Sequence, residues 1–245
     1  MKELEQSSGV INNDLARMSE FARIEDTAGK DISLVVENVL VSIVGGMSTK
    51  NKEIVLDAVQ YATTKAGLAR KNVQWYEDFI REMHTCGFLS SSFRYGNYEA
   101  SRSVLTMDEI GLEIIKGLIG GAVAGTLTQN LLKGIVGNAF ASLKSQDKPK
   151  EIFQRSTKRF DDVSFAIVSG VEKPDGDVLL AMAFISLKVS VTATNVLFWD
   201  FNTSSLTIER GENVTILNPR QWRRVQPLID RYLTDQLEAE FALIK

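Results

Sequence analysis

Residues 117–125 read GLIGGAVAG, with glycines at 117, 121 and 125 repeating every fourth position inside an apolar run. Glycine costs about 0.8–1 kcal/mol per helical position relative to alanine, so a helix here needs compensation from close packing. On a helix the three glycines form one flat stripe, GxxxGxxxG, along which a second backbone can lie and recover van der Waals contact. The stretch therefore predicts a glycine-rich helix with a helical neighbour.

The flanking residues supply that neighbour. Thr106-Met-Asp-Glu109 fits a capping box that opens a helix at Met107. Thr126 to Asn130 is a polar interruption, after which LLKGIVGNAFASL, 131–143, adds Gly134 and Gly137. A helical hairpin over about 107–143 follows. The 16 residues from Gly117 to Leu132 carry no charge, which falls short of the roughly 18–20 apolar residues a bilayer span takes. Neither half is a constitutive transmembrane segment. The hairpin is then a structural element shielded in the fold, a segment stored there and inserted conditionally, or a packing face for a protein partner.

Upstream, Val55, Val59, Ala62, Ala66, Ala69, Val73, Tyr76, Ile80 and Met83 alternate spacings of four and three, a heptad seam. It predicts one long helix from Ser48 to about Cys86, about 58 Å long at 1.5 Å per residue, placed to sheathe the hairpin. Before it, DISLVVENVLVSIVGGM from Asp31 has helical spacing, with a strand pair as the rival because of its β-branched residues. Residues 1–30 suggest a modest amphipathic helix, and 90–105 a loop.

After the charged segment 144–159 the period changes. Residues 163–171, 178–194, 196–201, 206–209 and 214–217 are rich in β-branched and aromatic residues. Turn signals separate them at Lys173-Pro-Asp-Gly176, Asn202–Ser205 and Arg210-Gly-Glu-Asn213. Alternation predicts an antiparallel meander with one buried face. Asn218 and Pro219 then open a final helix carrying Trp222, Val225, Ile229, Tyr232, Leu237 and Phe241 on one stripe, bent or delayed by Pro227. The expected class is α+β: residues 1–150 helical, with the heptad helix and the glycine-rich hairpin, and residues 151–245 an antiparallel β-meander packed by a C-terminal helix.

Chemistry is sparse. The chain has no GxxxxGK[ST], GxGxxG, GxSxG or HExxH motif and a single histidine, so neither a metal nor a cofactor is expected. The weak catalytic candidates are Cys86 and His84, whose i, i+2 spacing on a helix points them to different faces. A lone cysteine also excludes an internal disulfide framework. Net charge is −3, which gives no general attraction to nucleic acid. The N-terminal residues lack the apolar core of a signal peptide, so the chain reads as cytoplasmic when made, with any export by a non-classical route.

These features point to an amphitropic toxin or effector of bacterial type, more plausibly non-enzymatic, that inserts the hairpin into a membrane and self-associates through Gly117, Gly121, Gly125, Gly134 and Gly137. Lys144, Lys148, Lys150, Arg155, Lys158 and Arg159 are suited to anionic headgroups. Arg220, Arg223 and Arg224 around Trp222 suit a partner or a phosphate. The alternatives are a scaffold docking partners through the heptad helix, and a cysteine-dependent enzyme or acylated protein using Cys86.

Overall fold

The computed structural model describes residues 21–24, 31–67, 73–99, 104–122, 126–159, 162–188, 201–202 and 207–243. The elements in chain order are β1 (Phe21–Ile24), β2 (Ile32–Val36), β3 (Val39–Ile43), α1 (Thr49–Ala66), α2 (Val73–Thr85), β4 (Phe88–Asn97) and β5 (Val104–Leu105). They continue with α3 (Met107–Ala122), α4 (Thr126–Ser145), α5 (Asp147–Thr157), β6 (Lys158–Arg159), β7 (Asp162–Glu172), β8 (Val178–Lys188), β9 (Phe201–Asn202), β10 (Ile208–Leu217) and α6 (Pro219–Leu243). The α+β class and the C-terminal helix are as the sequence predicts.

One sheet organises the chain, in the order β1-β2-β3-β7-β8-β10-β4, with β6 paired to β7 at its start. Every pairing in it is antiparallel except β3 with β7. Strands from both sides of residue 150 therefore share a single sheet. The division expected there does not separate two cores: it falls inside α5, and β3 and β4 from the first part flank β7, β8 and β10 from the second.

The sheet is covered on both faces. Val163, Phe165, Ile167 and Val171 of β7 pack with Ile110, Ile115, Val136, Phe140 and Phe153 of α3, α4 and α5. The alternate residues Ala166 and Val168 join Val55, Val59, Tyr76, Phe79, Met83, Trp222 and Ile229 of α1, α2 and α6 on the other face. A strand buried on both faces needs no polar side, and this is why β7 and β8 read as nearly continuous apolar runs. The meander thus has two buried faces, where alternation alone suggested one.

The predicted heptad helix is two helices. α1 stops at Ala66 because Gly67 takes φ +77°, and its N–H donates to the Thr63 and Thr64 carbonyls, an ending that only glycine adopts without strain. The seam keeps its period, but Val55, Val59, Tyr76 and Met83 lie against the sheet. They lie on the face opposite the hairpin and so do not sheathe it. Residues 32–43 form the strand pair, turned at Glu37 with φ +52°. β1 occupies 21–24, where a helix is expected, and the loop expected at 90–105 contains β4, which pairs with β10 along its length.

Candidate functional site

The hairpin is the element whose construction stands out. Its start is a capping box as predicted: the Thr106 N–H donates to Glu109 Oε2 at 2.9 Å, and the Glu109 N–H donates to Thr106 Oγ1 at 3.4 Å. Between these two residues, Asp108 is buried and meets Lys144 Nζ at 2.6 Å. This ion pair joins the first turn of α3 to the last turn of α4, so the two ends of the hairpin are tied to each other. The Asp108 side chain is 6% exposed against 45% for Lys144, so the lysine is the hydrated arm and the carboxylate the buried one.

One face of the hairpin is spent on the sheet. Ile110, Ile114, Ile115 and Leu118 from α3, with Leu132, Ile135, Val136, Phe140 and Leu143 from α4, are buried against β7 and β8. Helix and sheet approach closely at Gly111, where a Cβ would lie 2.7 Å from Ile167 Cδ1. The glycines singled out by spacing behave differently. A Cβ built at Gly117, Gly134 or Gly137 has nothing within 4 Å among the described residues, so these three border open space, Gly117 and Gly134 exposed and Gly137 partly so. Gly121 falls in the last turn of α3, and Gly125 lies outside the described residues. Leu131, beside the outward glycines of α4, is 41% exposed.

The basic residues after the hairpin divide. Lys144 is held by Asp108, and Lys150 by Asp147 at 2.8 Å; Lys148 is exposed on α5, as is Arg155, which has a polar or ring contact of its own. The side chains of Lys158 and Arg159 lie outside the described residues. Arg220, Arg223 and Arg224 are exposed around a buried Trp222 in the first turns of α6. That helix begins as predicted, with Asn218 Oδ1 accepting the N–H groups of Arg220 and Gln221 at 3.1 and 3.3 Å, and it continues through Pro227.

The structure does not bring Cys86 and His84 together. The His84 ring bonds Ser90 Oγ through Nε2, and burial lowers its pKa, which favours the neutral imidazole. Cys86 is fully buried, and burial, with Glu82 and Asp57 nearby, pushes its thiol up to about 12. A buried, protonated thiol is neither a nucleophile nor open to acylation in this fold. Of the heptad seam, Val55, Val59, Ala62, Tyr76, Ile80 and Met83 are buried in the core, while Ala69 lies outside the described residues, so these six positions offer no surface to a docking partner.

Sequence reasoning missed Asp108, Gly111 and Gly211. Gly211 lies within β10 where a turn is expected, and a Cβ there would overlap the Tyr76 ring. Their only signals are an acidic residue in a first helical turn, a glycine inside a helical run and a glycine read as a turn; none identifies a contact made with a distant element.

The class of architecture is now defined: a mainly antiparallel sheet between two helical layers, with a clasped helical hairpin on one face. Among the described residues no helix is long and apolar enough to cross a membrane, and no group of His, Cys, Asp and Glu is placed to hold a metal. No protein-family model and no curated protein matches the chain. Solved structures similar to it include a delta-endotoxin at TM-score 0.40 and 10% identity, with 75% of this chain and 84% of that one covered. Another is the activated Cyt2Ba monomer from Bacillus thuringiensis subsp. israelensis, at TM-score 0.36 and 10% identity, covering 73% and 95%. A third is the Evf virulence factor, at TM-score 0.32 and 8% identity, covering 79% and 74%.

Proposed function

We propose that this chain is an amphitropic toxin or effector whose α3–α4 hairpin leaves the sheet at a membrane and associates there with the hairpins of other copies. The observation that carries this reading is the division of the hairpin into a face buried on the sheet and an outward face whose glycines leave room for a Cβ among the described residues. Nine buried Ile, Leu, Val and Phe side chains of α3 and α4 hold it down by on the order of 20 kcal/mol, at about 1.5–3 kcal/mol each. In water that cost forbids undocking. A bilayer receives the same side chains as an apolar phase, so the cost is recovered only at a membrane.

The two faces then have separate roles. The apolar face turns to lipid, and Gly117, Gly134 and Gly137 let neighbouring helices approach backbone to backbone. α4 has 20 residues, about 30 Å long and equal to the hydrocarbon thickness. It carries Gln129, Asn130, Lys133 and Asn138, so association must turn these toward a wet lumen and away from lipid. Exposed Lys148 and Arg155 adjoin the base of the hairpin and are suited to anionic headgroups.

Dye leakage from phosphatidylglycerol-containing vesicles tests the proposal, with the native chain compared with Gly117→Leu and Gly134→Leu. Both substitutions enter open space and replace a poor helix former, so leakage should fall at least several-fold while thermal stability is kept or slightly raised. Equal leakage from all three proteins, or none from the native chain, sinks the idea.

A further inference from the structure

Tyr61 on α1 and Tyr232 on α6 meet edge to face, with centroids 5.2 Å apart and planes at 78°. Rings at that angle make two walls of a corner, and a cation already stands in it. Lys65 Nζ lies 4.4 Å from the Tyr232 centroid and 5.9 Å from that of Tyr61, both within the roughly 6 Å over which a ring quadrupole attracts a positive charge. Lys65 is an exposed residue in the last turn of α1, two positions before Gly67. Its ammonium rides on a flexible four-carbon stem and can swing out without moving the helix.

The surroundings favour a cation. Burial first, then the negative charge of Glu82 on α2, raises the pKa of both phenols and keeps the rings neutral; Glu82 also lies 3.7 Å from Arg81 Nε. Asp57 stands one turn before Tyr61, and Asp230 stands two residues before Tyr232. A lysine ammonium is compact and strongly hydrated, so it gives up much solvation for a place between two rings. A quaternary ammonium is larger and carries no N–H donors to leave unpaired, which makes aromatic walls its preferred recognition surface.

We infer that Tyr61 and Tyr232 form a binding corner for a quaternary ammonium of the choline type, and that Lys65 is a built-in competitor which the ligand displaces. The corner lies on the helical layer opposite α3–α4, so its occupancy is separate from release of the hairpin and does not depend on the membrane proposal. Free phosphocholine and a phosphatidylcholine headgroup present the same chemistry.

Titration of phosphocholine into the full chain, followed by calorimetry or NMR, provides the test. Saturable binding is expected, tightened several-fold in Lys65→Gln because the competitor is gone, retained in Tyr232→Phe, and weakened about tenfold in Tyr232→Leu through loss of one aromatic wall. Lys65→Gln changes an exposed side chain, so it reports even if Tyr232→Leu fails to fold. Phosphoethanolamine should bind much more weakly. Co-sedimentation separates the sources: retention on phosphatidylcholine vesicles above that on phosphatidylglycerol vesicles, lost in Tyr232→Leu, assigns a lipid headgroup, whereas binding of phosphocholine without such retention assigns a free small molecule. Absence of saturable binding in both the native chain and Lys65→Gln, or equal affinity for phosphoethanolamine, overturns the inference.

Discussion

Lys144 at the end of α4 meets the buried carboxylate of Asp108 at the start of α3, with 2.6 Å between Nζ and Oδ2. The contact closes the hairpin on itself. Removing the lysine strands a charge that is 6% exposed, and breaking a buried pair from one side costs more than the pair contributes. Lys144→Ala should destabilise the fold by about 2–3 kcal/mol, with Lys144 itself half-hydrated and the effect at the lower end of the buried-pair range. Asp108→Asn removes the charge as well and should cost less. Urea unfolding of the two variants measures the difference, and equal losses would remove the clasp from the account.

The glycines of the hairpin divide into two kinds with opposite signs. Gly111→Ala puts a methyl group 2.7 Å from Ile167 Cδ1; the overpacking cost of about 1–3 kcal/mol, less about 1 kcal/mol of helix propensity, leaves a net loss of up to about 2 kcal/mol. Gly117→Ala, Gly134→Ala and Gly137→Ala meet nothing within 4 Å. Each should stabilise by about 0.5–1 kcal/mol through helix propensity. Thermal melts of the four variants decide this, and a stabilised Gly111→Ala would mean that α3 stands off the sheet.

Asp57 gives the helical layer of α1, α2 and α6 a pH dependence. Burial first, then Asp230 and Glu53, raises its carboxyl to about 6 from 3.8. The folded chain therefore binds a proton that the unfolded chain has released, and stability falls as pH rises from about 4 through about 6. Asp57→Asn should remove this trend and gain about 1–2 kcal/mol at pH 8, after a discount for partial exposure. His84 acts in the opposite sense: its lowered pKa reduces stability as pH falls below the ordinary histidine range. Denaturant midpoints against pH for the native chain and Asp57→Asn show whether the difference between them closes toward pH 4.

Cys86 is fully buried, with its thiol pushed up to about 12. A disulfide-exchange reagent should label it only at the rate of global unfolding, so labelling accelerates with urea and in step with loss of helicity. Rapid labelling of the native chain at pH 8 would show that the α1–α2–α6 layer opens locally.

The features legible in the sequence are those that rest on local hydrogen bonds and backbone preferences. The Thr106–Glu109 capping box, the Asn218 cap with Pro219 after it, and the turn at 173–176, where Gly176 takes φ +87° and donates to the Lys173 carbonyl at 2.9 Å, lie where spacing predicts them. Each is decided within a few residues. Gly67 shows where that logic breaks down: a heptad pattern records which side chains face inward, and it persists unchanged across the break into two helices.

By itself, the sequence determined the α+β class, the glycine-rich hairpin and the helix at the C-terminus, because period, caps and glycine spacing are properties of short stretches. The tertiary structure alone decided what each glycine does and where the first half of the chain goes. Gly211 sits in a strand because the Tyr76 ring presses on it, and Gly111 in a helix because Ile167 does. β4 is a strand because β10 supplies its partner from more than a hundred residues away. Those contacts join positions distant in the chain, so no local preference encodes them. For the same reason Gly117, Gly134 and Gly137, spaced as if for packing, leave open space where a Cβ would stand among the described residues.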